Sequence, residues 1–472
     1  MKNLKSTYTV IHLSLIVLLT IGSGCQELDE TPKSFVEPQN FYTTPGQIEA
    51  ALASSMNSLW TSWGSYGYGM AWFNNDDQLD GGALNINANH AGDLWSAHYA
   101  AINNLNSAIG ALNKGNLKGD VSQLMGQAKF LRAYNYFMLV RMFGDVPLIT
   151  EETPDVITGK ITRTPIKDVY NFIVADFTEA ATKLPATWPA SQRGRPTSGA
   201  AKGLLAKTYL TMATAPLKDV SNYAKAAAMA KQVMSSGTYT LVQNVNDVFS
   251  VNTKYGPEMM WSFNSNFTDM ATDPHIWSTF EGWGDYSVER EWEQKFPAEP
   301  RKDAYIQTMF KGEHYTTWSG GGYSPSIKKF LYDTKADFSA GRSIINMPII
   351  RYADVLLIFA EAENMANGSP TQAAVDAINL VIDRANGNQP NTLHPRLTTA
   401  MSKDAFDTAV IEERNWELCF EYDRWFDLIR KRILKEKSRL VIQQNFSESD
   451  YLFPIPANDV RLNPALVQNP GY

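Results

Sequence analysis

The segment Ile411–Arg430 limits the fold more than any other. Apolar residues stand at Ile411, Leu418, Phe420, Tyr422, Trp425, Phe426, Leu428 and Ile429. Charges are threaded between them at Glu413, Arg414, Glu417, Glu421, Asp423, Arg424, Asp427 and Arg430. The spacing predicts a single helix. At about 3.6 residues per turn, Arg414, Glu417, Glu421, Arg424 and Leu428 share one face, and Phe420, Trp425 and Ile429 take another. A helix apolar on so much of its circumference belongs inside a protein. Buried charges persist only when paired, and Glu–Arg neighbours three and four residues apart are expected to supply the pairing. The segment therefore predicts an ion network that locks a long helix into an all-helical body. Carboxylates four residues apart could also approach the roughly 5–5.5 Å separation used by a retaining glycosidase. Interleaved Arg414 and Arg424 weigh against that, because they lower carboxylate pKa values where a general acid needs one raised.

Helical periodicity continues through the chain. Thr43-Thr44-Pro45 reads as a helix start, followed by Ile48, Ala51, Leu52, Met56 and Leu59. Further runs cover Leu94–Ile109, Ala128–Arg141 and Ile166–Phe177, with Phe143-Gly144-Asp145-Val146-Pro147 closing the run Ala128–Arg141. Gly144 suits a left-handed cap, and Pro147 cannot continue a helix. Alanine-rich helices are expected at Ala200–Ala213 and Tyr223–Ser236, and another pair at Ile349–Ala366 and Thr371–Ala385. Helix–turn–helix units with small residues at the crossings are the layout of tetratricopeptide repeats. The expected fold is all-α: about four tetratricopeptide-like pairs in a single large domain with long irregular insertions. Arg132, Arg351 and Asp354 sit on apolar faces and are expected to be paired charges holding helices together.

Two insertions break the pattern and hold many of the aromatics. The first, Trp60–Asp93, has Trp60, Trp63, Tyr66, Tyr68, Trp72 and Phe73 among glycines, then Asn74-Asn75-Asp76-Asp77-Gln78. The second, Tyr239–Asn346, has Trp261, Trp277, Trp283, Tyr286, Trp292, Trp318 and Tyr323. Indole and phenol rings cover the C–H face of a sugar at low entropic cost, and Asn, Asp and Gln bond its hydroxyls. Rings that instead fill a core beneath the loops are the competing expectation for any one of them. Asp76, Gln78, Asp80 and Gly81 begin a calcium-loop spacing, but the twelfth position is Asn87, where a bidentate Glu is needed, so a turn is expected. The six histidines form no zinc spacing, no phosphate loop or dinucleotide fingerprint occurs, and no cofactor is expected. A net charge of −7 argues against nucleic acid as a partner.

At the N-terminus, Lys2 and Lys5 precede an apolar run from Val10 to Ile21 that is too short to span a bilayer. Gly22-Ser23-Gly24-Cys25 then resembles a lipoprotein cleavage and acylation site, with Gly22 where such sites prefer Leu. Residues 1–24 are read as a signal peptide and Cys25 as the lipidated residue. Cys419 is left without a disulfide partner and reads as a small buried hydrophobe.

Glu413-Arg414, Glu417-Leu418, Phe420-Glu421 and Arg424-Trp425-Phe426-Asp427-Leu428 with Arg430 resemble the signature of the SusD/RagB family, outer-membrane glycan-binding lipoproteins of the Bacteroidetes. Phe130-Leu131-Arg132-Ala133, Arg195-Pro196-Thr197, Arg351-Tyr352-Ala353-Asp354 and Phe453-Pro454-Ile455-Pro456 extend the resemblance in order along the chain. Gln26-Glu27-Leu28-Asp29-Glu30 resembles the acidic tag of surface-exposed lipoproteins in the same bacteria. The resemblance divides the mature chain into an N-terminal half (25–238), a central aromatic insertion (239–346) and a C-terminal part (347–472). It implies a non-enzymatic protein, lipid-anchored at the outer membrane and facing outward. Such a protein captures a glycan and passes it to a SusC-like TonB-dependent transporter. It favours Trp63, Trp72, Asn74, Asn75 and Asp76 with Trp277, Trp283, Trp318 and Tyr323 as glycan contacts. Acids outnumber bases in the central insertion, which points to a neutral glycan. The alternatives are a peptide-binding repeat scaffold and a glycoside hydrolase.

Overall fold

Four helix pairs follow the apolar periodicity closely. A computed structural model describes residues 42–63, 78–79, 88–151, 161–266, 275–276, 279–283, 287–318, 324–333, 336–421, 423–437 and 446–472, of which 60–63, 78–79, 88–90 and 330 by backbone alone. The signal segment and Cys25 lie outside the described residues. The pairs are α1 (Pro45–Trp63) with α2 (Ala88–Asn113), α3 (Ser122–Phe143) with α4 (Ile166–Lys183), α5 (Ser198–Ala213) with α6 (Asn222–Met234), and α9 (Tyr352–Asn367) with α10 (Gln372–Ala385). Each helix packs on the next, and α6 packs directly on α9, so the central insertion leaves the stack unbroken. No helix among the described residues is long and apolar enough to cross a membrane.

The first helix of the later pairs is buried almost all round. From Gln127 to Phe143, α3 exposes little beyond Lys129, and α9 hides Tyr352 to Ala362. Their partners bury one stripe only: Val169, Tyr170, Ile173, Phe177 and Ala180 on α4, and Val375, Ile378, Val381 and Ile382 on α10. The second helix of each of these pairs thus covers the first with its apolar stripe and gives the other face to solvent. Gly144 ends α3 at φ +73°, ψ −126°, which is not the left-handed cap expected but a different region, open to glycine alone. The helix expected from Ile349 begins instead at Tyr352, because Met347–Arg351 is a strand.

That strand, β8 (Met347–Arg351), pairs antiparallel with β2 (Met259–Phe263). The pair clamps the two ends of the insertion together. β2 also ties the insertion to the body, since Trp261 packs edge-on against Phe130 and Tyr134 of α3, with centroids 4.6 and 5.0 Å apart. Trp261 and Trp292 therefore belong to the core rather than to a surface platform.

The expected helix Ile411–Arg430 is broken. α11 (Lys403–Glu417) stops, a turn follows with Phe420 at φ +63°, and α12 (Arg424–Arg430) restarts. Two buried cations from distant sequence account for the break. Lys329 donates to the carbonyls of Glu417 (3.2 Å) and Cys419 (2.8 Å) and to the Glu421 carboxylate (2.7 Å). Arg351 donates to the Glu417 carbonyl and to Glu421. Cations on the last carbonyls end a helix favourably. The shared face inferred for Arg414, Glu417, Glu421, Arg424 and Leu428 does not exist. The ion network does, but its partners come mostly from other elements. Arg414 bridges Asp354 (2.7 Å) and Asp427 (2.8 Å), and Arg430 grips Glu361 with two bonds of 2.6 and 2.7 Å. Asp427–Arg430, at 2.8 Å, is a pair of the local kind the spacing suggested. Arg132 holds Asp176 through two bonds of 2.7 and 3.1 Å, and Asp354 also takes Lys207 at 2.8 Å, so these charges are structural. Cys419 is fully buried.

Candidate functional site

The insertion is riveted to α11 by charge and by rings. Arg301, on the short helix α8 (Pro300–Tyr305), reaches Glu299 (2.7 Å), Glu413 (2.6 Å) and Glu417 (2.9 Å). Arg351 and Arg384 complete the cage around Glu417 at 2.5 and 2.6 Å. Trp292, on α7 (Arg290–Lys295), sits within about a ring's width of Phe296, Trp416 and Phe420, with centroids 5.2–5.5 Å away. Its indole N–H donates to Asn415.

On this base, among the described residues, stand three two-stranded ladders. β1 (Gln78–Leu79) of the first insertion pairs antiparallel with β3 (Ser287–Val288) of the second, Gln78 opposite Val288. Strand partners lie about 4.8 Å apart, so the chain segments carrying the two sets of rings are stitched together at this point. β4 (Ile306–Gln307) pairs with β7 (Ser326–Ile327). Between them β5 (Met309–Phe310) and β6 (Glu313–His314) form a hairpin. Its two turn residues, Lys311 at φ +50° and Gly312 at φ +86°, are left-handed, as a type I′ turn requires.

The hairpin presents a ring cluster. Phe310 lies 4.9 Å from Trp318 and 5.4 Å from Phe280, and Phe280 lies 5.6 Å from Trp318, with mixed tilted and edge geometry. All three rings are half-buried. Beside them Met309 is exposed, and Gln307 links Glu281 (2.9 Å) to the Ser326 hydroxyl (2.7 Å). Trp283, three residues beyond Phe280, is 62% exposed. Large apolar rings are costly to leave in water, and a clustered group of them marks a contact surface.

Of the residues expected at the site, Trp318 belongs to this cluster, and Trp283 is exposed three residues along the chain from Phe280. Trp63 ends α1, its side chain outside the description, and Trp72, Asn74, Asn75, Asp76, Trp277 and Tyr323 lie outside the described residues. Phe280, Phe310, Glu281 and Gln307 went unnoticed in the sequence. Lys311-Gly312 between Met309-Phe310 and Glu313-His314 was the available signal, since X-Gly between strands favours this turn.

Glu417 and Asp427 of the α11–α12 region, and Glu361 of α9 beside them, are committed to structure. Burial by itself raises the Glu417 pKa, but Arg384, Arg351, Arg301 and Lys329 overcome it and hold the group far below the usual carboxylate range. The same balance, tipped by Arg414 and Arg430, holds Asp427 low, and tipped by Arg430 and Lys431 it holds Glu361 at about 2. A general acid needs the opposite shift.

Fold and site together define the class: a tetratricopeptide-like scaffold whose clamped insertion displays aromatic rings. The chain belongs to the SusD family. Residues 212–472 match the SusD family model, and residues 45–210 match a family described as starch-binding, associating with the outer membrane. A SusD-like protein P2 of Formosa agariphila is 29% identical across the whole of both chains. A SusD homolog of Bacteroides thetaiotaomicron superposes with a TM-score of 0.81 at 23% identity, covering 93% of this chain and 99% of its own. Surface glycan-binding protein A of Bacteroides uniformis superposes with a TM-score of 0.74 at 22% identity, covering 90% and 99%.

Proposed function

We propose that this protein captures a glycan at the outer surface without cleaving it and delivers it to a SusC-like TonB-dependent transporter. The exposed indole of Trp283, three residues along the chain from Phe280 of the Phe280–Phe310–Trp318 cluster, is the observation that carries the reading. Rings raised on loops but backed by a fixed frame offer a sugar a shelf at little entropic cost. Gln307 and Glu281 stand ready to bond hydroxyls at its edge. The starch-binding description of the matching family and the glycan named for the Bacteroides uniformis neighbour support the assignment. Carboxylates tied in buried salt bridges support binding over hydrolysis. Trp63, Trp72, Asn74, Asn75, Asp76, Trp277 and Tyr323 are proposed to extend the shelf.

Isothermal titration against a panel of neutral polysaccharides tests this. At least one ligand binds, no reducing ends appear over time, and Trp283→Ala weakens binding about ten-fold, or roughly 1.4 kcal/mol. Silence across a broad panel, or full affinity in Trp283→Ala, would sink the shelf.

The anchor is proposed at Cys25, where acyl chains contribute about 0.8 kcal/mol per buried CH₂. Metabolic palmitate labelling is expected in the wild type and lost in Cys25→Ala. Protection of the protein from protease added to whole cells would place it on the periplasmic side and refute surface exposure.

A further inference from the structure

A recess between the helical body and the start of the central insertion takes no part in the shelf. Two cavities of about 280 and 270 Å³ meet at Arg193–Arg195 and Trp261. Rings of Trp188, Tyr239 and Tyr255 line the first, together with the threonines 187, 197 and 238. Tyr255 is 39% exposed. The charged residues lining this cavity are Arg193 and Arg195, with no carboxylate among the described residues, while Glu49 lines the second. Arg195 is tied to Glu49 at 3.1 Å and lies 5.6 Å from the Trp188 ring centre. Arg193 is exposed and pairs with no carboxylate among the described residues.

The walls are held in place. The Trp188 indole N–H donates to the Pro196 carbonyl at 2.8 Å. The Tyr239 hydroxyl shares a 2.6 Å bond with Thr197, and its ring lies on bare Gly199, where a Cβ would fall 2.3 Å away. Between the two arginines, Gly194 adopts φ +92°, and the Asn264 amide donates to its carbonyl at 3.0 Å. A Cβ at 194 would come within 2.6 Å of that amide. Trp188, Tyr239, Arg195 and the backbone between the two arginines are thus pre-positioned, which lowers the ordering cost of binding.

Rings and hydroxyls suit one sugar unit. A guanidinium without a carboxylate partner suits an anion, which it bonds in a planar fork. We propose that this recess is a second saccharide subsite, fitted to a unit bearing a carboxylate or a sulfate ester. The inference rests on the carbohydrate reading above and refines it: the ligand has a neutral backbone for the shelf and anionic units for the recess.

The test is titration of the whole protein with an oligouronate, a sulfated oligosaccharide and a neutral oligosaccharide of equal length. At least one anionic ligand is expected to bind about ten-fold tighter than the neutral one, with a preference that shrinks in added salt and disappears in Arg193→Gln. Preference for the oligouronate alone assigns the anion to a carboxylate, and for the sulfated ligand alone to sulfate. Tyr255→Ala weakens the preferred ligand as well, which bulk charge attraction would not produce. Equal affinity for all three overturns the anionic subsite and leaves the shelf standing, as does a preference that survives Arg193→Gln. An acidic peptide binding as tightly as the oligouronate overturns the saccharide assignment. Failure of every oligosaccharide to bind overturns both readings.

Discussion

Glu417→Gln is expected to destabilise the protein by about 3–5 kcal/mol, the cost of removing one partner from a buried ion cluster. The substitution keeps the volume and deletes a charge. Arg301, Arg351 and Arg384 then face one another with a neutral amide between them, all of them nearly or fully buried. Like charges at such range repel strongly where water is excluded. The damage spreads, because Arg301 belongs to the insertion, Arg351 to β8 and Arg384 to α10, and Glu417 joins all three to α11. The midpoint of urea unfolding reads the loss, with the slope checked for constancy. A loss under about 1 kcal/mol would show that the remaining carboxylates, Glu258, Glu413 and Glu421, suffice and that the cage is not centred on Glu417.

Alkaline pH is expected to weaken the same region. His394 lies between Glu299 at 2.6 Å and Glu413 at 3.0 Å. Burial alone would lower its pKa, but bonds to both carboxylates outweigh burial and push it up to about 9. A histidine whose folded pKa is raised contributes stability that is fully present below its unfolded value of about 6.5. That contribution fades as pH rises through about 9. At roughly 1.4 kcal/mol per pKa unit the loss is of the order of 3 kcal/mol. Urea midpoints between pH 6 and 10 should fall across this window in the wild type and stay flatter in His394→Gln. Equal slopes in both would assign the alkaline loss to other groups.

Much of the helical body was legible because an apolar stripe is a local property. Val169, Ile173, Phe177 and Ala180 mark one face of α4 whatever the rest of the chain does. The same logic failed at Phe420. Nothing within ten residues of it predicts a left-handed turn, since the cations that draw the helix end open, Lys329 and Arg351, lie about 70 to 90 residues earlier. The rings failed differently. Trp261, Trp283 and Trp292 look alike in sequence, yet two are core and one is exposed. The difference is made by β2 packing on α3 and by α7 packing on α11, which no spacing encodes.

Helix positions, the count of pairs and the presence of a buried ion network were already written in residue order, because amphipathic period and unpaired buried charge constrain any fold. Which carboxylate meets which guanidinium, where the signature segment turns and which rings reach solvent were settled by long-range packing. Salt-bridge partners and ring exposure depend on which surfaces meet after the chain has folded back on itself, and that is a property of the assembled molecule.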